Sequence, residues 1–188
     1  MKLLLPCCAL FASSAFGHPA DEWALGVETG YLSKVGNNSP LDYDIIPTQL
    51  VLHSPTLFPL WQGQEGDRLV VRNRFALIGE SIVDGAEDYY IGFSAAPSLE
   101  YWFPNEQTAL FFAIGGGAGF TNAGDTFGGQ GQDFTLNWFA QSGLRQQLNE
   151  HTALVIGAYF THHSNGGQTD PNPGIDVLGA TIGLSWSF

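Results

Sequence analysis

Counting back by twos from Phe188 passes through Trp186, Leu184, Ile182, Ala180 and Leu178, while the residues between them are Ser187, Ser185, Gly183, Thr181 and Gly179. A strict period of two, large apolar against small or polar, describes a β-strand whose two faces meet different surroundings. A helix would bring its apolar residues round every three or four positions instead. This last segment spans 175–188, and seven earlier ones, at 22–32, 44–53, 68–79, 89–102, 108–120, 133–147 and 152–164, carry the same period, with Gly, Pro, Asn and Asp between them. In the fourth, Tyr89, Ile91, Phe93, Ala95, Leu99, Tyr101 and Phe103 share one face, and Tyr90, Gly92, Ser94, Ala96, Ser98 and Glu100 share the other.

Composition agrees with an all-β chain: 24 glycines stand beside 14 Phe, 6 Tyr and 5 Trp, and only 13% of the 188 residues are charged. The net charge of −12 sets nucleic acid aside, since a phosphate-tracking surface needs clustered Lys and Arg. Lys2, the apolar run Leu3 to Phe11 and the small-x-small site Ala15-Phe16-Gly17 read as an export signal over residues 1–17, with cleavage after Gly17. Residues 18–188 then form one domain. Cys7 and Cys8 both lie in the signal, so no disulfide is expected in the exported chain. That signal run is shorter than the about 20 apolar residues a membrane helix needs.

Export, an even strand count, aromatics near strand ends and small or polar residues on the alternate face describe an eight-stranded antiparallel transmembrane β-barrel of the Gram-negative outer membrane. A soluble sandwich or lipocalin-like barrel would alternate too, with shorter strands and fewer flanking aromatics. The terminal Phe188 is the kind of signal that barrel-assembly machinery reads. An even count leaves both termini on the periplasmic side, with turns at 103–107 and 148–151 there and longer outer connections at 33–43, 80–88, 121–132 and 165–174. Residues 54–67 break this scheme as a long periplasmic connection. Glu28, Arg72, Arg74, Glu100 and Arg145 fall opposite the apolar positions, where a narrow lumen makes them a structural ion network in preference to a solute path. Gly115, Gly117 and Gly119 also face inward, making room for bulkier neighbours.

Polar side chains reach the lipid face at one place. On the seventh segment Leu154, Ile156, Ala158 and Phe160 are followed, at the same parity, by His162 and Ser164; on the eighth, the same count reaches Asp176. Consecutive strands are neighbours in an up-and-down barrel, so the three share one patch at the outer end. A hydroxyl, an imidazole and a carboxylate in a row are what acyl transfer needs: the base takes the Ser proton and the acid orients the base. On the outward surface such a group meets lipid acyl chains. His163 has the opposite parity, which disfavours a His162/His163/Asp metal site.

His162-His163-Ser164-Asn165, followed by Pro171-Asn172-Pro173-Gly174-Ile175-Asp176, resembles the C-terminal motif of the lipid A 3-O-deacylase (PagL) family, His-x-Ser-Asn with an Asn eight and an acid twelve residues after the Ser. The resemblance implies His162 as general base, Ser164 as nucleophile and Asp176 as the orienting acid, with Asn165, Asn172, Gly166 and Gly174 as oxyanion or substrate-positioning candidates. It implies hydrolysis of the 3-position hydroxyacyl ester of lipopolysaccharide lipid A, with no cofactor and no metal, at the outer leaflet. Asp176 stands where the family commonly has the longer Glu, and Asp170 is a second carboxylate in the same connection. Glu80, Asp84, Glu87 and Asp88 read as a solvated acidic loop, which would repel lipid phosphates unless divalent cations bridge them. A non-enzymatic structural or adhesive barrel is the alternative, and the oligomeric state is left open between a monomer and a homodimer.

Overall fold

An antiparallel sheet closed on itself pairs its long strands on both sides without a partner chain, and the computed structural model of this chain has that form. It describes residues 17–188 apart from 38 and 125. The expected signal up to residue 16, with both cysteines, lies outside the described residues. The strands are β1 (Ala24–Lys34), β2 (Asp44–His53), β3 (Phe58–Gln62), β4 (Arg68–Asp84), β5 (Tyr89–Trp102), β6 (Thr108–Thr121), β7 (Phe134–Gln147), β8 (Thr152–Ser164) and β9 (Ile175–Ser187). All pairings are antiparallel; β9 returns to β1 through Leu25↔Trp186, and β2 pairs with β4 through His53↔Arg74, which closes eight long strands into a barrel.

Each of the eight expected segments is a strand, and two boundaries differ from the sequence reading. First, residues 54–67 are no plain connection, because β3 pairs with the lower part of β4 through Phe58↔Val71 and Gln62↔Arg68. β2 ends at His53 opposite Arg74, so the backbone of β4 from Arg68 to Asn73 needs another partner. The returning chain supplies it, with Ser54 N–H donating to Asn73 C=O at 2.9 Å and Leu57 N–H to Val71 C=O at 2.8 Å. Pro59 is tolerated because β3 is an edge strand. Second, β4 runs on to Asp84 where the sequence suggested a loop from 80, since Gly79-Glu80-Ser81 has no apolar residue to mark a strand. Glu80 therefore points into the barrel, and Glu87 is buried and accepts a hydrogen bond from Tyr43 Oη at 2.8 Å. Neither belongs to a solvated acidic loop.

The outward face is an apolar belt in which Leu77, Ile91, Phe93, Ile114, Phe120 and Ile182 are all exposed. That much exposed apolar surface fits a strand wall set in lipid. Inside, Glu100 receives Arg72 at 3.3 Å, Arg145 at 3.9 Å and the Trp102 indole N–H at 3.0 Å. Gln141 donates to Glu28 at 2.8 Å, and Arg74 donates to Gln49 at 2.6 Å while lying over the Phe139 ring. The charged residues assigned to the lumen by parity do line it, but only Arg72, Glu100 and Arg145 join in an ion network, while Glu28 and Arg74 are met by the amides of Gln141 and Gln49. An apolar cluster including Leu32, Ile45, Phe139, Tyr159 and Val177 fills more of the interior. A Cβ on Gly119 would come within 2.6 Å of the Tyr90 ring, so this inward glycine does make room for a larger neighbour.

At the end carrying the termini, a 3-10 turn (Pro19–Asp21) puts Ala20 against Val70, Trp102 and Ala109 as a plug. The other end carries the connections 35–43, 85–88, 122–133 and 165–174, and two of these build the site.

Candidate active site

β8 and β9 meet so that His162 lies directly opposite Asp176, and β7 places Trp138 opposite His162 on the other side. Three strands thus contribute one row of outward side chains near the end away from the termini. The His162 Nδ1 is 2.7 Å from the Asp176 Oδ1, with the two side chains 22% and 14% exposed. A carboxylate oxygen accepts, so a ring that donates from Nδ1 in this contact turns Nε2 away from Asp176 and toward a substrate-side proton. The Trp138 ring stacks beside the imidazole at 6.0 Å between centroids and 30° between planes, and Phe160 packs against Trp138 at 4.8 Å. Held between an indole and a carboxylate, the imidazole has little freedom to rotate.

Ser164 is two residues beyond His162 on the same face of β8, a strand spacing of about 6.6 Å between Cα atoms. It is half-buried, and its register partner is Leu136 of β7. Asp170 is exposed in the 165–174 connection, and the carboxylate beside His162 is that of Asp176. The direct cross-strand register explains why the shorter acid reaches.

The 165–174 connection is organised around Asn165, which is fully buried. Its Nδ2 donates within the connection to Thr169 C=O at 2.8 Å and Pro171 C=O at 3.3 Å, and outside it to Gln130 C=O at 2.5 Å. Its Oδ1 accepts from Gly167 N–H at 2.8 Å, and its main-chain N–H donates to Asn172 Oδ1 at 3.0 Å. Asn165 is therefore engaged in shaping the connection, while Asn172 enters through the acceptor end of its amide. Gly166 and Gly174 have φ of +67° and +68°, a left-handed backbone that glycine adopts without strain. The 122–133 connection is stitched to the same place, with Thr169 Oγ1 donating to Gln132 Oε1 at 3.1 Å and Gln132 Nε2 to Gln168 Oε1 at 3.2 Å.

His163 turns inward as its parity requires. It is buried, 3.0 Å from Glu80 and tilted against the Tyr90 ring. The two adjacent histidines thus serve opposite faces of the wall. Sequence reasoning missed Glu80 as the partner of His163, and also Trp138 and Gln130. Trp138 was within reach, since it shares the outward parity of Leu136 and Ala140 on β7. Gln130, between Gly129 and Gly131, carries no periodic signal at all.

A half-buried His–carboxylate pair with a serine at strand spacing is equipped for proton transfer to and from a hydroxyl nucleophile. Compared with known proteins, the chain matches the family model "Lipid A 3-O-deacylase (PagL)" over residues 56–185. Among solved structures it is similar to the outer membrane enzyme PagL, with TM-score 0.57, 19% identity, and 85% of this chain and 97% of that one covered. It also aligns with OprG from Pseudomonas aeruginosa (TM-score 0.46, 15% identity, covering 92% and 98%) and Ail from Yersinia pestis (TM-score 0.39, 19% identity, covering 89% and 99%). No curated protein sequence matches it.

Proposed function

Because the chain belongs to the lipid A 3-O-deacylase (PagL) family, whose model spans 56–185 and so takes in His162, Ser164 and Asp176, we propose that it hydrolyses the 3-position hydroxyacyl ester of lipid A by a serine mechanism. The observation that carries this reading is the 2.7 Å contact between His162 Nδ1 and Asp176 Oδ1 on the outward surface. Ser164 Oγ attacks the ester carbonyl while His162 Nε2 takes its proton, and Asp176 stabilises the resulting imidazolium. The tetrahedral oxyanion needs N–H donors, and the Asn172 amide and the main-chain N–H groups of Gly166 and Gly174 are the groups assigned to it. Collapse breaks the bond to the sugar oxygen, which His162 protonates as it leaves. Water activated by the same base then frees Ser164 and releases a 3-hydroxy fatty acid.

Location supports the substrate. The row lies on the outer wall of the barrel, beside exposed Leu136 and Trp138, where an ester of a membrane lipid can approach from the bilayer. The end bearing the site is assigned to the outer leaflet, where lipid A resides, with both termini toward the periplasm.

The test is mass spectrometry of lipid A after incubation with the detergent-folded protein. Wild type removes one hydroxyacyl mass, whereas Ser164→Ala and His162→Ala each lose essentially all activity, as expected of groups that act as a unit. Unchanged lipid A with folded wild type would leave a non-enzymatic barrel as the reading.

A further inference from the structure

Ser164 is the last residue of β8, and it lies where the strand ladder runs out on one side. β7 still pairs with it through Leu136, but the register with β9 ends one residue earlier, at His163↔Ile175. A nucleophile held by a single neighbour sits on a strand end, where backbone freedom is greatest. Something other than the sheet must fix it if its hydroxyl is to meet His162 within a few tenths of an ångström.

Gln130 occupies that role geometrically. It lies in the 122–133 connection, is fully buried, and comes from a different part of the chain. Its side-chain Nε2 donates to the main-chain carbonyl of His163 at 3.1 Å, and its own main-chain carbonyl accepts from Asn165 Nδ2 at 2.5 Å. His163 and Asn165 are the two residues flanking Ser164. Gln130 therefore holds the main chain of the residue before the serine through its side chain, and the side chain of the residue after it through its own main chain. The grip is backed by its neighbours, since Gln132 of the same connection bonds both Thr169 and Gln168.

We propose that Gln130 is a positioning residue for Ser164, an inference that rests on the deacylase reading above. It touches neither substrate nor the reacting atoms. It sets the backbone from which Ser164 Oγ is presented to His162 Nε2, so its loss should slow the chemical step and leave lipid binding alone.

The test uses Gln130→Met, which fills a similar volume without a donor, and Gln130→Glu, which keeps the shape and also lacks the amide N–H. Each is compared with wild type in kcat and KM for lipid A deacylation, and in the rate at which a fluorophosphonate labels Ser164. The folded fraction is read separately from heat-modifiable mobility on a gel. The expected result, per folded molecule, is a kcat at least tenfold lower, KM within about twofold of wild type, and a labelling rate that falls in parallel. Wild-type kcat and labelling in the folded variants would overturn the proposal, as would activity that falls only in step with the folded fraction. A wild type that is labelled at Ser164 yet leaves lipid A intact would overturn the substrate reading, and the labelling comparison would still decide the role of Gln130.

Discussion

Asp176 and His162 face each other across two strands, so the carboxylate needs no loop to carry it to the imidazole. The distance of 2.7 Å is that of a strong, charge-assisted contact. Two substitutions separate its parts. Asp176→Asn keeps the shape but offers the ring a neutral partner that no longer stabilises the imidazolium, and kcat should fall about 10³- to 10⁴-fold. Asp176→Glu, which restores the residue common in the family, should stay within about tenfold of wild type, because a direct cross-strand pair tolerates one methylene through side-chain rotation. Steady-state deacylation rates for the two variants check this; an Asn variant as active as the Glu variant would remove Asp176 from the mechanism.

Strands do most of the positioning, but the short elements seal the end that carries the termini. The 3-10 turn there is held by the Arg68–Asp21 ion pair at 3.0 Å and by Thr56 Oγ1 donating to Ala20 C=O at 3.0 Å. His18 leads into it, edge-on to Trp102, with its Nδ1 accepting from Ala20 N–H at 3.1 Å. Burial, helped by the Arg68 guanidinium, holds the His18 imidazole down to about 4 from an ordinary 6.5. Folding thus favours the neutral ring, the only form whose Nδ1 can accept. Its contribution to stability is fully present above pH 6.5 and is lost as pH falls toward 4. Urea midpoints of the detergent-folded barrel should drop over that window, and His18→Gln should drop less. Equal slopes for the two proteins would show that His18 does not couple to folding.

As a whole the molecule is a filled cylinder whose proposed site is on its outside. Glu100 is fully buried between the Arg72 and Arg145 guanidiniums. Removing it alone leaves two cations without a counter-charge, so Glu100→Ala should cost about 3–5 kcal/mol, read as a lower urea midpoint. The same packed lumen speaks against a solute path, and planar-bilayer recordings of wild type should show no stepwise conductance that depends on Arg72, Arg74 or Glu100. The outward site should survive any lumen substitution that leaves the barrel folded, since the wall separates the two. Deacylation per folded molecule in Glu100→Ala is the measurement, and a loss beyond the folded fraction would show that lumen and site are coupled.

The wall was legible in the sequence because facing is a property of a single strand: alternation alone assigns Glu28, Arg72, Arg74, Glu100 and Arg145 inward and His162, Ser164 and Asp176 outward. It also separated His162 from His163. What alternation cannot carry is any contact set by the register of two strands or the meeting of two loops. The choice between Asp176 and Asp170 depended on which β9 residue slides opposite His162. β3 escaped notice because its five residues include Pro59 and it exists only to partner a stretch of β4 that β2 leaves free. Glu80 reads as loop because Gly79-Glu80-Ser81 has no apolar marker, and its partner, His163, is 83 positions away in the chain. Gln130 lies in a glycine-rich connection with no period, and it acquires meaning only once the pairing of β7 with β8 brings that connection against the end of β8. Local pattern decides which way a side chain points, whereas the residues it meets are decided by ring closure and register, which no short stretch of sequence contains.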